Sequence, residues 1–408
     1  KYNHHTGSPA SNPHPCHHEN VQPWEIGWDA TAGWESRKKW TCDQCKKDLT
    51  DEKWDQELKE FDAVRKEDNA RSKEDHADHL HSLGITVLAL LAFAFEHDCF
   101  GWPVWRVVRD IIQPATRETR CRYGELPEVQ GMFGKATVFM SHCWGGRFGD
   151  LVGAACHGAR MDRIVWIDIF AVRQWPGNLC DLNFRGVIER SVAMVVSTSP
   201  VVGLSERFLR DAERAAFLTT EQGEAAKRTM PFCRLWCVVE VAAGVARNKS
   251  IVVKCGRVVR REDGTLEYVT EGGYNTMSNL SFMIDVVSSE CAVQADYDRE
   301  MDIIRKTEGG VENVNAVVAG VVRGAMTSIN YNVLEIDAAA CGEVESLLEL
   351  KMSSLSKGEE RERAGKMLKA ACAGGRVEIV RVLLDKWLAE EVVVEEKVVV
   401  EEEEEGET

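Results

Sequence analysis

The spacing of apolar positions changes character at Lys135. From there, short runs rich in β-branched and aromatic residues at 136–141, 163–170, 193–197 and 250–254 predict strands. Between them, apolar residues recur at helical spacing over 149–160, 183–190 and 231–247. Repeated strand–helix units predict a parallel sheet, because each crossover lays a helix on one of its faces. In the last helix Leu235, Val238, Ala242 and Val245 form an apolar stripe, and Trp236 and Glu240, four apart, share another face. Before Lys135 the pattern is helical. Residues 51–81 are dense in charge, with one short stripe at Trp54, Leu58 and Phe61; residues 83–96 predict a buried helix, and 103–112 a second one stopped by Pro114. After the last strand, Asp263-Gly264 between two β-like runs predicts a hairpin over 258–270, and Gly309-Gly310 separates two helices within 288–326.

These shifts divide the chain into a His/Cys-rich segment (1–50), a helical region (51–133), an α/β domain (134–256), a hairpin and helical extension (257–330), a repeat-like region (331–390) and an acidic tail (391–408). The chain has 408 residues, 44% hydrophobic and 28% charged, which suits a protein with real cores. Its net charge of -16 is uneven: residues 390–408 hold ten Glu against one Lys. No basic patch stands out, so nucleic-acid binding is not expected. The longest apolar run, 83–95, is too short for the roughly 20 residues of a membrane span. The fourteen cysteines are scattered, with one CxxC pair, which fits a reducing, cytoplasmic compartment better than a disulfide framework. The chain opens on Lys1, so a preceding segment stays open.

In a doubly wound sheet, ligands bind outside the carboxyl ends of the strands, where the strand order reverses. Four stretches should meet there: Ser141-His-Cys-Trp-Gly-Gly146, the loop through Arg173-Gln-Trp-Pro-Gly177, the turn Ser197-Thr-Ser-Pro200, and the helix carrying Trp236 and Glu240. The same ordered set resembles the Toll/interleukin-1 receptor (TIR) domain. Phe139-Met-Ser141 and Trp166-Ile-Asp168 look like its first two strands, Arg173-Gln-Trp-Pro-Gly177 like its BB loop, Ile188-Glu-Arg-Ser191 with the following strand like its third unit, and Trp236-Cys-Val-Val-Glu240 like its Trp-Cys-x-x-Glu helix. The resemblance covers about 134–256, and implies a flavodoxin-like doubly wound parallel sheet. The chain departs from the family in the insertion at 201–231 and in lacking an obvious fifth strand.

Many TIR domains cleave NAD at the nicotinamide–ribose bond through the Glu of that helix, so the resemblance implies Glu240 as the catalytic carboxylate and NAD as substrate. One carboxylate suffices chemically: nicotinamide in NAD is a cationic pyridinium that leaves neutral without a proton, and a buried anion can stabilise the ribosyl cation left behind. Ser141, His142, Trp144, Arg173, Trp175 and Trp236 are the expected substrate-binding residues, the tryptophans by stacking and Arg173 at the pyrophosphate. Other readings stand beside this one. Asp168 can simply brace a strand end, Trp236 can be core, and Cys143 with His142 is a thiol-hydrolase pair of a second enzymatic class. A non-catalytic adaptor, with TIR–TIR self-association, is the alternative function.

Two flanking segments add partners. Cys16, His18, Cys42 and Cys45 would make a tetrahedral structural zinc site, with Trp40-Thr-Cys-Asp-Gln-Cys45 resembling half a zinc knuckle. Gly342-Glu-Val-Glu and Gly375-Arg-Val-Glu lie 33 residues apart, and 368–385 is similar to the second half of an ankyrin repeat, a protein-binding unit. The Val/Glu blocks at the end are low in complexity.

Overall fold

The computed structural model describes residues 71–175 and 178–329, with Met367, Leu368, Ala371 and Val380. The expected zinc ligands Cys16, His18, Cys42 and Cys45 and nearly all of the ankyrin-like region lie outside the described residues. The fold is α/β, built on a six-stranded, mostly parallel sheet. Its strands are β1 (Gly84–Thr86), β2 (Phe133–Gly134), β3 (Val138–Ser141), β4 (Ile164–Trp166), β5 (Ala193–Thr198) and β6 (Ser250–Cys255), in the spatial order β2-β1-β4-β3-β5-β6. The block β4-β3-β5-β6 is parallel throughout, while β1 runs antiparallel between β4 and β2. From β3 the chain moves one way to β4, then crosses back over β3 to β5 and on to β6, which is compatible with a flavodoxin-like winding.

Each strand sends alternate side chains to opposite faces. Val138, Met140, Ala193 and Val195 join one core, under α2 (Val87–Glu96), α3 (104–115) and α4 (Phe148–Cys156). The helix α3 begins as Val104–Val107, widens into a π turn at Val108–Ile112 and ends as Gln113–Ala115. Pro114 therefore does not stop the helix where the sequence predicts. The wider turn just before it, where Gln113 N–H reaches back to the Val108 carbonyl, precedes a proline ring that an unbroken α-helix would not accommodate easily. Phe139, Met194, Val196 and Trp166 join the second core, under α1 (Lys73–His81), α6 (Phe184–Arg190) and α9 (Leu235–Ala246). There Phe139 and Trp166 stack at 4.9 Å, and Trp166 Nε1 donates to the Leu80 carbonyl at 2.9 Å, tying α1 to the sheet.

The strand expected to run through Phe170 ends at Trp166 instead. Asp168 opens a short helix, α5 (Asp168–Ala171), closed by Val172 N–H on the Asp168 carbonyl. The insertion forms α7 (Asp211–Leu218) and α8 (Glu221–Thr229). Beyond β6, β7 (Arg257–Arg260) and β8 (Leu266–Val269) make the expected hairpin, which lies on α4. A Cβ on Gly153 of α4 would come within 2.5 Å of both Tyr268 and Val258 of that hairpin. The helices α10 (Gly273–Leu280), α11 (Gln294–Lys306) and α12 (Gly310–Ile329) follow, and α12 packs on α9, α10 and β6. This explains why α9 buries far more than one stripe: Leu235, Cys237, Val238, Val239, Glu240, Val241, Ala243 and Gly244 are all buried. No helix among the described residues is long and apolar enough to cross a membrane.

Candidate functional site

Ser141 is the last residue of β3 and shares the face of Phe139, the face on which α9 packs. Glu240 comes from the middle of α9. The two meet at the carboxyl end of the sheet, where Ser141 Oγ donates to Glu240 Oε2 at 2.6 Å. Ser141 is fully buried and Glu240 is 8% exposed. Burial pushes the Glu240 carboxyl up to about 8; the Ser141 hydrogen bond opposes this and the nearby charge of Asp168 adds to it. At neutral pH the resting carboxyl is mostly protonated.

Asp168 leaves the end of β4, the strand next to β3, and its side chain is 21% exposed. Trp144 Nε1 donates to Asp168 Oδ2 at 2.7 Å. On the other oxygen, His142 Nε2 lies 3.4 Å from Asp168 Oδ1, and neither atom has a hydrogen-bond partner. Such pairs of buried polar atoms without partners are uncommon in native structures and mark a place that a ligand group can fill. Ser141, His142, Trp144, Asp168 and Glu240 thus form one constellation, with the indole and imidazole on Asp168 and the hydroxyl on Glu240.

The insertion covers the turn that follows Ser141. Cys143 Sγ donates to the Arg228 carbonyl of α8 at 2.7 Å, and a Cβ on Gly145 would collide with the same carbonyl oxygen. Cys237 Sγ donates to the His142 carbonyl at 3.2 Å, fixing the turn against α9. From the opposite side, Val104 N–H and Trp105 N–H bond the Gly146 and Trp144 carbonyls at 2.9 and 3.1 Å. Burial pushes the Cys143 thiol up, and its hydrogen is engaged, so it is not an activated nucleophile. The thiol-hydrolase reading of Cys143 and His142 has no support in this geometry.

Two of the expected binding residues are held by other partners, and a third is buried. Trp236 packs edge-on against Phe184 at 5.2 Å, with the Arg299 guanidinium 5.5 Å above its ring. Trp175 donates through Nε1 to Thr116 Oγ1 at 2.9 Å and stacks under Arg120 at 3.7 Å. Arg173 is buried, and its backbone N–H donates to Asp181 Oδ2 at 2.9 Å. Asp181 is the hub of a buried charge network. Arg122 grips it through Nε and Nη2, at 3.1 and 2.6 Å, and reaches Glu125 through Nη1 at 2.7 Å. Burial alone would raise Asp181, but His76 and Arg122 outweigh it and hold the carboxyl well below the usual range. Burial likewise opposes the ionisation of Glu125, but His79 and Arg122 bring it down to about 2.

No family model matches the chain, and no curated protein or solved structure matches it. The pairing of Asp168 with Trp144 and His142 was hidden in the sequence because Asp168 sits inside an apolar run that reads as strand. The network on Asp181 left a fainter trace, since its members come from α1, from the 122–125 turn and from the turn Leu179–Leu182.

Proposed function

We propose that this is a TIR-like signalling protein that cleaves NAD at the nicotinamide–ribose bond, with Glu240 as the carboxylate facing the ribosyl cation. The observation that carries the reading is the Ser141–Glu240 pair: a buried carboxyl held at 2.6 Å by a strand-end serine, at the point where a parallel sheet reverses its strand order. The Trp-Cys-x-x-Glu pattern at 236–240 and the order β4-β3-β5-β6 support the same assignment.

In this mechanism the C1′–N1 bond breaks and its electron pair passes to the nicotinamide nitrogen, so the pyridinium leaves as a neutral amide. The positive charge moves to the ribosyl ring, beside Glu240. A pyridinium cation entering next to a buried carboxyl favours its ionised form, so substrate binding releases the Glu240 proton to solvent and supplies the anion. The ribose hydroxyls would bond to the unpartnered His142 Nε2 and Asp168 Oδ1, beside Trp144. Water then adds at C1′ and gives up its proton to a carboxylate of the site, which leaves ADP-ribose and nicotinamide.

One observation favours the alternative, a non-catalytic adaptor. Trp236 and Trp175, expected to stack on the nucleotide, are engaged by Phe184 and Thr116, and Arg173, expected at the pyrophosphate, is buried. In that reading the TIR-like unit self-associates and the 331–390 region recruits protein partners. The two are separated by incubating the full chain with NAD at high protein concentration and following free nicotinamide. The enzyme reading expects release that Glu240→Gln reduces by at least a hundredfold, the scale of a lost electrostatic group. No release from folded protein assigns the adaptor role.

A further inference from the structure

We propose that His76, Cys180 and Asp181 form a binding site for a zinc-class divalent metal ion, which pins α1 to the turn that follows α5. His76 stands on α1, and Cys180 and Asp181 in the short helical turn Leu179–Leu182. One ligand atom from each lies within 4.8 Å of the other two. His76 Nε2 is 3.3 Å from Asp181 Oδ1, and Cys180 Sγ is 3.4 Å from the same oxygen. Bonds of about 2.0–2.3 Å to a tetrahedral ion require ligand atoms about 3.3–3.7 Å apart, so these two distances already match edges of the coordination polyhedron.

A second observation is independent of that spacing. His76 is 5% exposed, yet neither ring nitrogen makes a hydrogen bond of good geometry, its 3.3 Å contact with Asp181 being an ion pair only. A buried imidazole left this way carries a desolvation cost that a metal bond would remove. The carboxylate is also oriented from behind: Arg122 Nε and Arg173 N–H occupy Oδ2, which turns Oδ1 toward His76 and Cys180. Arg122 Nη2 takes one lone pair of Oδ1 and leaves the other for an ion. The donor set of one thiolate, one imidazole and one carboxylate suits zinc or cobalt and not calcium or magnesium. Cys180 is only partly buried, so water can complete the fourth position.

The test uses the full chain with Cys42→Ser and Cys45→Ser, so that the N-terminal cysteine pair does not contribute. After metal removal, cobalt titration should give one equivalent of a near-ultraviolet thiolate-to-cobalt band that zinc abolishes. Adding Cys180→Ser should remove the band and weaken zinc binding by more than the tenfold that loss of a supporting contact costs. His76→Ala should weaken it similarly. If His76→Ala does not fold, the conservative Cys180→Ser decides alone. No band in the folded parent, or a band and affinity unchanged by Cys180→Ser, would overturn the proposal and leave His76 and Asp181 as an ion pair only.

Discussion

A carboxyl buried next to a hydroxyl, with no cation beside it, keeps its proton far above the usual pH, and Glu240 is in that position. The consequence for stability has a definite sign. The folded state holds the Glu240 proton more tightly than the unfolded chain, where the group titrates near 4.5. The stabilisation is complete below that value and is lost as the pH rises through about 8. At about 1.36 kcal/mol per unit, the full effect is several kcal/mol. Glu240→Gln keeps an oxygen for Ser141 to donate to and removes the titration. Its denaturation midpoint should therefore fall less between pH 5 and pH 9, about the window named, than that of the unsubstituted protein. Parallel pH curves for the two proteins would show that Glu240 ionises freely in the fold. The Ser141–Glu240 pair was readable from the sequence although 99 residues separate its members, because strand alternation and crossover order together place both at one edge. Trp236, Arg173 and Trp175 were harder. Their neighbours Arg299, Asp181 and Arg120 are set by packing between distant segments, which periodicity does not encode.

Among the elements, α8 of the insertion covers the turn beside the site. It meets the turn after β3 through the Arg228 carbonyl, which accepts from Cys143 and lies against the bare Cα of Gly145. Gly145→Ala should push α8 away at a cost of about 1–3 kcal/mol, the usual range for overpacking. Cys143, 5% exposed in the folded protein, should then react faster with a thiol reagent under native conditions, while buried Cys255, at the end of β6, should not. Equal labelling of Cys143 in both proteins would mean that α8 does not hold this turn closed. The strands of the parallel block were plain in the sequence, each a compact apolar run. Strand β1 was not: its three residues open the apolar stretch that reads as one helix with α2, and without alternation a short strand has no period of its own.

For the whole molecule, the segments flanking the parallel block complete it. Strands β1 and β2 extend the sheet beyond β4, the β7–β8 hairpin covers α4, and α12 covers α9. Val318 and Val322 of α12 are fully buried in the same core as Val238 and Val241 of α9. The helix that carries Glu240 is therefore clamped between the sheet and α12, which holds its carboxyl in place and keeps water from it. That burial is the cause of the raised Glu240 proton affinity, on which the proposed chemistry rests: a neutral group at rest that becomes an anion when a cationic substrate arrives. The rate of nicotinamide release from NAD, followed for the full chain from about pH 6 to about pH 9, tests this most directly. kcat/KM reports the free protein and should climb with pH and level off above about 8, while kcat, which reports the complex, should climb at lower pH. A flat profile, or release that survives Glu240→Gln undiminished, would contradict the account.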